Sequence, residues 1–193
     1  MSKKPDRKAR ADAEHNRGRV LEVACELFAE HGDEVQMAEV ARAAGVGVGT
    51  VYRHFPTRQA LIEAVAERRF AEILAFARAE CLPNPDTRQA LVCFLSRIGE
   101  VHDRARGVSS AIEAALGSTE PRGQVAVELL AIGQALLDRG LADGTLRPDS
   151  KVDDLYMIAG AVAAISRYAA GDWRRLIDIA LEGMSPRLPA RSE

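Results

Sequence analysis

The chain has 193 residues, enough for one domain or two small ones with a sizeable buried core. It is 47% hydrophobic and 28% charged, with a net charge of −2, so it is neither a disordered polyelectrolyte nor a uniformly basic protein, and any contact with nucleic acid must come from one local face. There is no run of about 18 apolar residues and no apolar core in the first residues, which argues against a membrane span and a secretory signal.

The apolar residues are mainly Ala, Leu, Val and Ile, without the alternation that marks strands, and this bias predicts an all-α fold of about nine helices. Residues 1–15 are charge-dense, with five bases and one acid among the first ten. They read as a flexible basic tail, or alternatively as an arm that reaches into a DNA groove. From Asn16 the pattern changes: Val20, Leu21, Ala24, Leu27 and Phe28 fall on one face of a helix that stops near Gly32. "MAEVARAA" (37–44) makes a short helix closed by Gly45, and "VGTVYRHF" (48–55) makes a second one, seated through Val51 and Phe55. Thr57 caps a long helix predicted to run to about Glu80.

"CLPNPDT" (81–87) then breaks the chain, with Asn84 as the expected cap of a helix through Val101. A short helix follows near 108–116, and another runs from "GSTEPRG" to about Ala142. Ser150 to Asp153 has the pattern of a capping box, opening the last two helices at 152–169 and 172–184.

Two short helices joined by a tight glycine turn, the second polar outside, describe a helix-turn-helix. The second helix of such a unit enters the major groove. Gly49 leaves the backbone bare for close approach to a phosphate, and Thr50 suits a phosphate or a thymine methyl. Arg53 can grip a guanine through two hydrogen bonds, while Tyr52 and His54 offer polar tips to phosphate oxygens. No acid lies between Glu39 and Glu63, whereas Arg42, Arg53, His54 and Arg58 do. Arg58 stands in the first turn of a helix, where the macrodipole disfavours a cation, so a phosphate is its expected partner. The competing reading is a bent pair of core helices with solvated polar residues.

"LFAEHG" followed by "VARAAGVGVGTVYRHFPTRQALIEAV" closely resembles the N-terminal domain of TetR-family transcriptional regulators, over about residues 16–66. The matching residues are Ala44-Gly45-Val46, Gly49-Thr50-Val51-Tyr52, Phe55 and Arg58. The resemblance implies that Thr50, Tyr52, His54 and Arg58 touch the DNA backbone and that Arg53 reads bases. Gly47 and Gln36 stand where the family usually has Ser or Thr, which removes two helix caps and puts a phosphate contact at each in doubt. The layout implied is a DNA-binding domain over 16–60 and a helical ligand-binding and dimerisation domain over 61–193. The function implied is that of a cytoplasmic regulator, a repressor released from a palindromic operator by a small molecule, with no enzymatic activity.

The final two helices carry their own dimerisation signal. Trp173, Leu176, Ile177 and Leu181 share one stripe, and Ile158, Val162 and Ile165 lie along a preceding helix rich in small residues. The alternative is that both stripes bury against their own chain. Polar or aromatic residues on apolar helices, namely Phe76, His102, Ser109, Glu113 and Tyr156, are the candidate contacts for an effector whose identity the sequence does not give. The histidines and the three cysteines lack metal-ligand spacing, so neither a metal nor a cofactor is expected. A thiol sensor using Cys25, Cys81 or Cys93 is a further reading.

Overall fold

A computed structural model describes residues 7–186. Among the described residues there are nine α-helices and no strand: α1 Arg7–His31, α2 Met37–Ala43, α3 Val48–His54, α4 Arg58–Phe76, α5 Thr87–Arg104, α6 Arg106–Leu116, α7 Gly123–Ala142, α8 Val152–Tyr168 and α9 Trp173–Met184. Residues 1–6 of the expected tail lie outside the described residues, and residues 7–15 are helical, continuous with α1. That stretch, "RKARADAEH", consists largely of good helix formers, so it can extend a helix nucleated by the apolar turns beyond it.

The chain divides into two compact units, the first holding residues up to Arg68 together with Ala105–Glu120. Its core is built from Val20, Ala24 and Phe28 of α1, Val40, Ala41 and Ala44 around α2, Val51 and Phe55 around α3, and Leu61 and Ile62 of α4. Val108, Ala111 and Ile112 of α6 are also buried. α6 packs against α1 and the 3-10 turn Gly32–Glu34. Gly107 makes this possible: a Cβ there would sit 2.3 Å from the Phe28 carbonyl oxygen and 2.7 Å from that of Ala29.

The second unit holds Arg69–Arg104 and the chain from Pro121 onward. α5 is at its centre, packed by α7, α8 and α9. The predicted long fourth helix is α4 followed by a π-helical turn, Ala77–Cys81, in which Leu82 donates from its backbone N–H to the Ala77 carbonyl at 2.9 Å. The cap of α5 is Asp86, whose carboxylate accepts from Gln89 N at 2.9 Å, while Asn84 accepts from Asp86 N one turn earlier. The expected box before α8 is shifted by one residue: Lys151 is the cap residue, and its N–H donates to Asp154 at 2.9 Å. Asp172 caps α9 by accepting from Arg174 N and Arg175 N.

The stripe predicted to face a second copy is largely occupied within the unit. Trp173, Ile177, Leu181 and Val162 are buried, and a Cβ on Gly99 of α5 would lie 2.6 Å from the Trp173 ring. Ile158, Ile165 and Leu176 are half-buried. The apolar side of α9 packs against α5 and α8.

Candidate nucleic-acid interface and effector site

The turn between α2 and α3 is set by Gly45, whose φ of 64° lies in the left-handed region that costs a glycine nothing. The backbone N–H of Val46 then donates to the Ala41 carbonyl at 3.0 Å. Arg19 of α1 donates from its guanidinium to the Ala44 carbonyl, a support for the turn that sequence patterning missed because it spans separate helices. Gln36 and Gly47 occupy the cap positions of α2 and α3 without a side-chain hydrogen bond to either helix, as their departure from Ser or Thr predicts.

α3 is anchored by Val51, fully buried, and by Phe55 just beyond its end. Its remaining surface faces outward: Val48 and Tyr52 are 46% and 47% exposed, Gly49 and Arg53 are exposed, and Thr50 and His54 are half-buried. Arg42 on α2 is also exposed. Among the described residues neither Arg42 nor Arg53 has an ion-pair partner. Gly49 is informative because nothing among the described residues requires it: its φ is ordinary, and an added Cβ would meet none of their atoms within 4 Å. The outer face of α3 is thus basic, without acids, and bare at one backbone position.

Arg58 has partners within the chain. Its Nε donates to the Val35 carbonyl at 3.0 Å, and one terminal nitrogen donates to the Asp33 carbonyl at 2.5 Å and to Asp33 Oδ1 at 2.8 Å. Its guanidinium also lies 5.6 Å from the Phe28 ring centroid. These contacts tie the cation at the start of α4 to the 3-10 turn. Spacing could not reveal the pairing, because Asp33 lies outside the acid-free window.

The candidate effector residues separate. Ser109 and Glu113 sit on α6 in the first unit, Ser109 being buried and Glu113 half-buried. Phe76, His102 and Tyr156 belong to the second unit. Phe76 is half-buried, with the Arg97 guanidinium 4.9 Å from its ring centroid. The Tyr156 hydroxyl donates to the Leu130 carbonyl at 2.8 Å, and burial, then Asp153, raises its pKa. His102 is 2% exposed, and its Nδ1 has no hydrogen-bond partner among the described residues. Burial, followed by the charges of Arg69 and Arg167, lowers its pKa to about 3, so the ring is neutral at ordinary pH. A buried neutral imidazole with an unused nitrogen can accept from, or donate to, a polar group of a small molecule.

Among the described residues no helix is long and apolar enough to cross a membrane, and no group of three or more His, Cys, Asp or Glu residues could hold a metal ion.

Residues 20–65 match the family model described as bacterial regulatory proteins of the tetR family. Residues 86–186 match that of the C-terminal domain of SbtR-like transcriptional regulators. The fold is similar to a solved TetR transcription regulatory protein from Mycobacterium vanbaalenii, at 35% identity and a TM-score of 0.61, covering 92% of this chain and 99% of that one. It is also similar to RolR in complex with its ligand resorcinol, at 25% identity and a TM-score of 0.66, covering 92% and 91%. An HTH-type transcriptional regulator of Staphylococcus aureus is 38% identical over 69 residues, which are 34% of this chain and 36% of that regulator. The chain thus covers about a third of the length of such curated relatives.

Proposed function

The chain belongs to the TetR family of bacterial regulatory proteins, and from that premise we propose that it is a cytoplasmic, homodimeric repressor that binds a palindromic operator and leaves it when a small effector binds. It acts by binding and catalyses no reaction. The observation that carries the DNA reading is the outer face of α3, which has Val51 and Phe55 inside, Tyr52 and Arg53 outside, and an unexplained bare backbone at Gly49. In this reading Arg53 reads base edges, and Arg42, Thr50, Tyr52 and His54 engage phosphates, with the Gly49 N–H close enough to join them. Arg58 acts by holding the turn before α2.

The surface offered to a second copy is the outer stripe of α8 and α9. Met157, Gly160, Ala161, Ala164, Ile165 and Tyr168 fall at helical spacing on α8, with Met157 67% and Tyr168 60% exposed. On α9, Leu176, Ile179, Ala180 and Gly183 do the same. Among the described residues nothing lies within 4 Å of a Cβ built on Gly160 or Gly183, so two such faces can approach closely, as a symmetric interface requires. The effector contacts Phe76 and His102 in the second unit. It works by differential affinity, binding better to a conformer whose two α3 helices no longer match the groove spacing.

A footprint on upstream DNA, combined with sedimentation of the free protein, tests this reading. Two protected half-sites about 34 Å apart and a sedimenting dimer are expected. A monomer, or protection without two-fold symmetry, would overturn it.

A further inference from the structure

Cys81 and Cys93 are separated by a loop rich in turn residues, yet their sulfurs lie 2.6 Å apart in the second unit. Both are free thiols. That separation is close to the ~2.05 Å of a disulfide bond. Their supports are well tied. Cys81 ends the π-helical turn after α4, Cys93 sits on α5, and these two elements pack directly. Arg139 of α7 donates to the Leu82 carbonyl at 3.0 Å and fixes the chain immediately after Cys81.

The two thiols differ in access. Cys81 is fully buried, and burial followed by the neighbouring Cys93 pushes its pKa up, so it stays protonated. Cys93 is half-buried. Cys25 lies on α1, in the other unit.

We infer that Cys81 and Cys93 form a reversible dithiol–disulfide modification site, closed by a hydroperoxide and reopened by a thiol. The Cys93 sulfur attacks a peroxide oxygen and the O–O bond breaks. The departing oxygen takes the Cys93 thiol proton and leaves as water (or an alcohol), and Cys93 becomes a sulfenic acid, oxidised by two electrons. The Cys81 sulfur then attacks the Cys93 sulfur, the S–O bond breaks, and the hydroxide takes the Cys81 proton and leaves as a second water. Overall, two thiols and one hydrogen peroxide give one disulfide and two waters. The proximity of Cys81 favours this condensation over further oxidation of Cys93.

Full-length reduced protein carrying Cys25→Ser is titrated with hydrogen peroxide and mapped by mass spectrometry under non-reducing conditions. The expected result is one intrachain peptide linking Cys81 to Cys93, two thiols lost per peroxide consumed, and full reversal by dithiothreitol. In a Cys81→Ser variant, Cys93 is expected to stop at a sulfenic acid that dimedone traps. In Cys93→Ser, Cys81 is expected to stay reduced. Conversion of Cys93 to a sulfinic acid while Cys81 remains a thiol in the parent protein would overturn the proposal. A bridge between two chains in place of the internal one would do the same. The readout is chemical and independent of DNA, so it stands or falls apart from the regulatory reading.

Discussion

Replacing Arg58 with alanine separates a structural clamp from a phosphate contact. The guanidinium makes three hydrogen bonds, to the Val35 carbonyl, the Asp33 carbonyl and the Asp33 carboxylate, and lies over Phe28. Its side chain is 30% exposed and that of Asp33 49%, so the ion pair is partly screened and contributes ~0.5 kcal/mol. The two bonds to backbone carbonyls contribute about 1 kcal/mol each, reduced where water can replace the donor. The ring contact adds ~0.5 kcal/mol at such a site. Together these give a loss of about 2 kcal/mol, which for a chain of this length lowers Tm by roughly 4–8 °C. Thermal melting of full-length Arg58→Ala and Arg58→Lys measures that loss, since lysine keeps the charge but cannot form the same set of bonds. In parallel, DNA affinity is measured against salt concentration. The clamp predicts a lower Tm in both variants and an unchanged salt slope. A Tm within a degree of wild type, together with a slope reduced by about 1 in Arg58→Ala and restored in Arg58→Lys, would show a phosphate contact and refute the reasoning.

Other substitutions probe the remaining parts of the account. Gly49→Ala is expected to raise stability by ~0.5–1 kcal/mol, because the position is helical and open, and to weaken DNA binding; melting and titration of a duplex read the two effects separately. In Gly107→Ala the new methyl meets backbone oxygen atoms, so a loss of about 2 kcal/mol or more is expected in denaturant melts. Gly18→Ala in α1, where the space is open, serves as the stabilised control. The folded-state pKa of His102 is depressed from 6.5 to about 3, so the unfolded chain takes up that proton first as pH falls. Stability from this group is complete above about pH 6.5 and is lost towards pH 3, a change on the order of 5 kcal/mol that a His102→Gln variant should lack in urea melts across the range.

Local chemistry was legible in the sequence where a motif is contiguous. The α2–turn–α3 unit, the glycine at its corner and the two uncapped helix starts follow from residue types within twenty positions, because turn and cap preferences act over a few residues. Features made by distant segments were not legible. Arg58 reaches back to Asp33, and Arg19 supports Ala44, through contacts that no periodicity encodes. Helical spacing identified the stripe of Trp173, Ile177 and Leu181 correctly as apolar. The same spacing serves equally for burial within one chain or between two, and it gives no sign of Gly99, which makes room for the Trp173 ring. The grouping of α6 with α1 depends on Gly107 in the same way. In both cases a missing side chain on one helix sets how closely another can pack, and a glycine read in isolation gives no sign of its partner. Of the candidate effector residues, His102 is distinguished by its burial and its unused nitrogen, which depend on the whole unit around it.

The central claim is that the exposed face of α3 reads a DNA sequence. Selection of bound duplexes from a random pool, by the wild-type chain and by Arg53→Ala at two salt concentrations, tests it most directly. The account predicts an enriched palindrome for the wild type and relaxed preference at one position of each half-site in the variant, from the loss of a contact worth about 1–3 kcal/mol of discrimination. Folded wild-type protein that enriches no sequence at either salt concentration, or an Arg53→Ala variant with unchanged preference at every position, would contradict it.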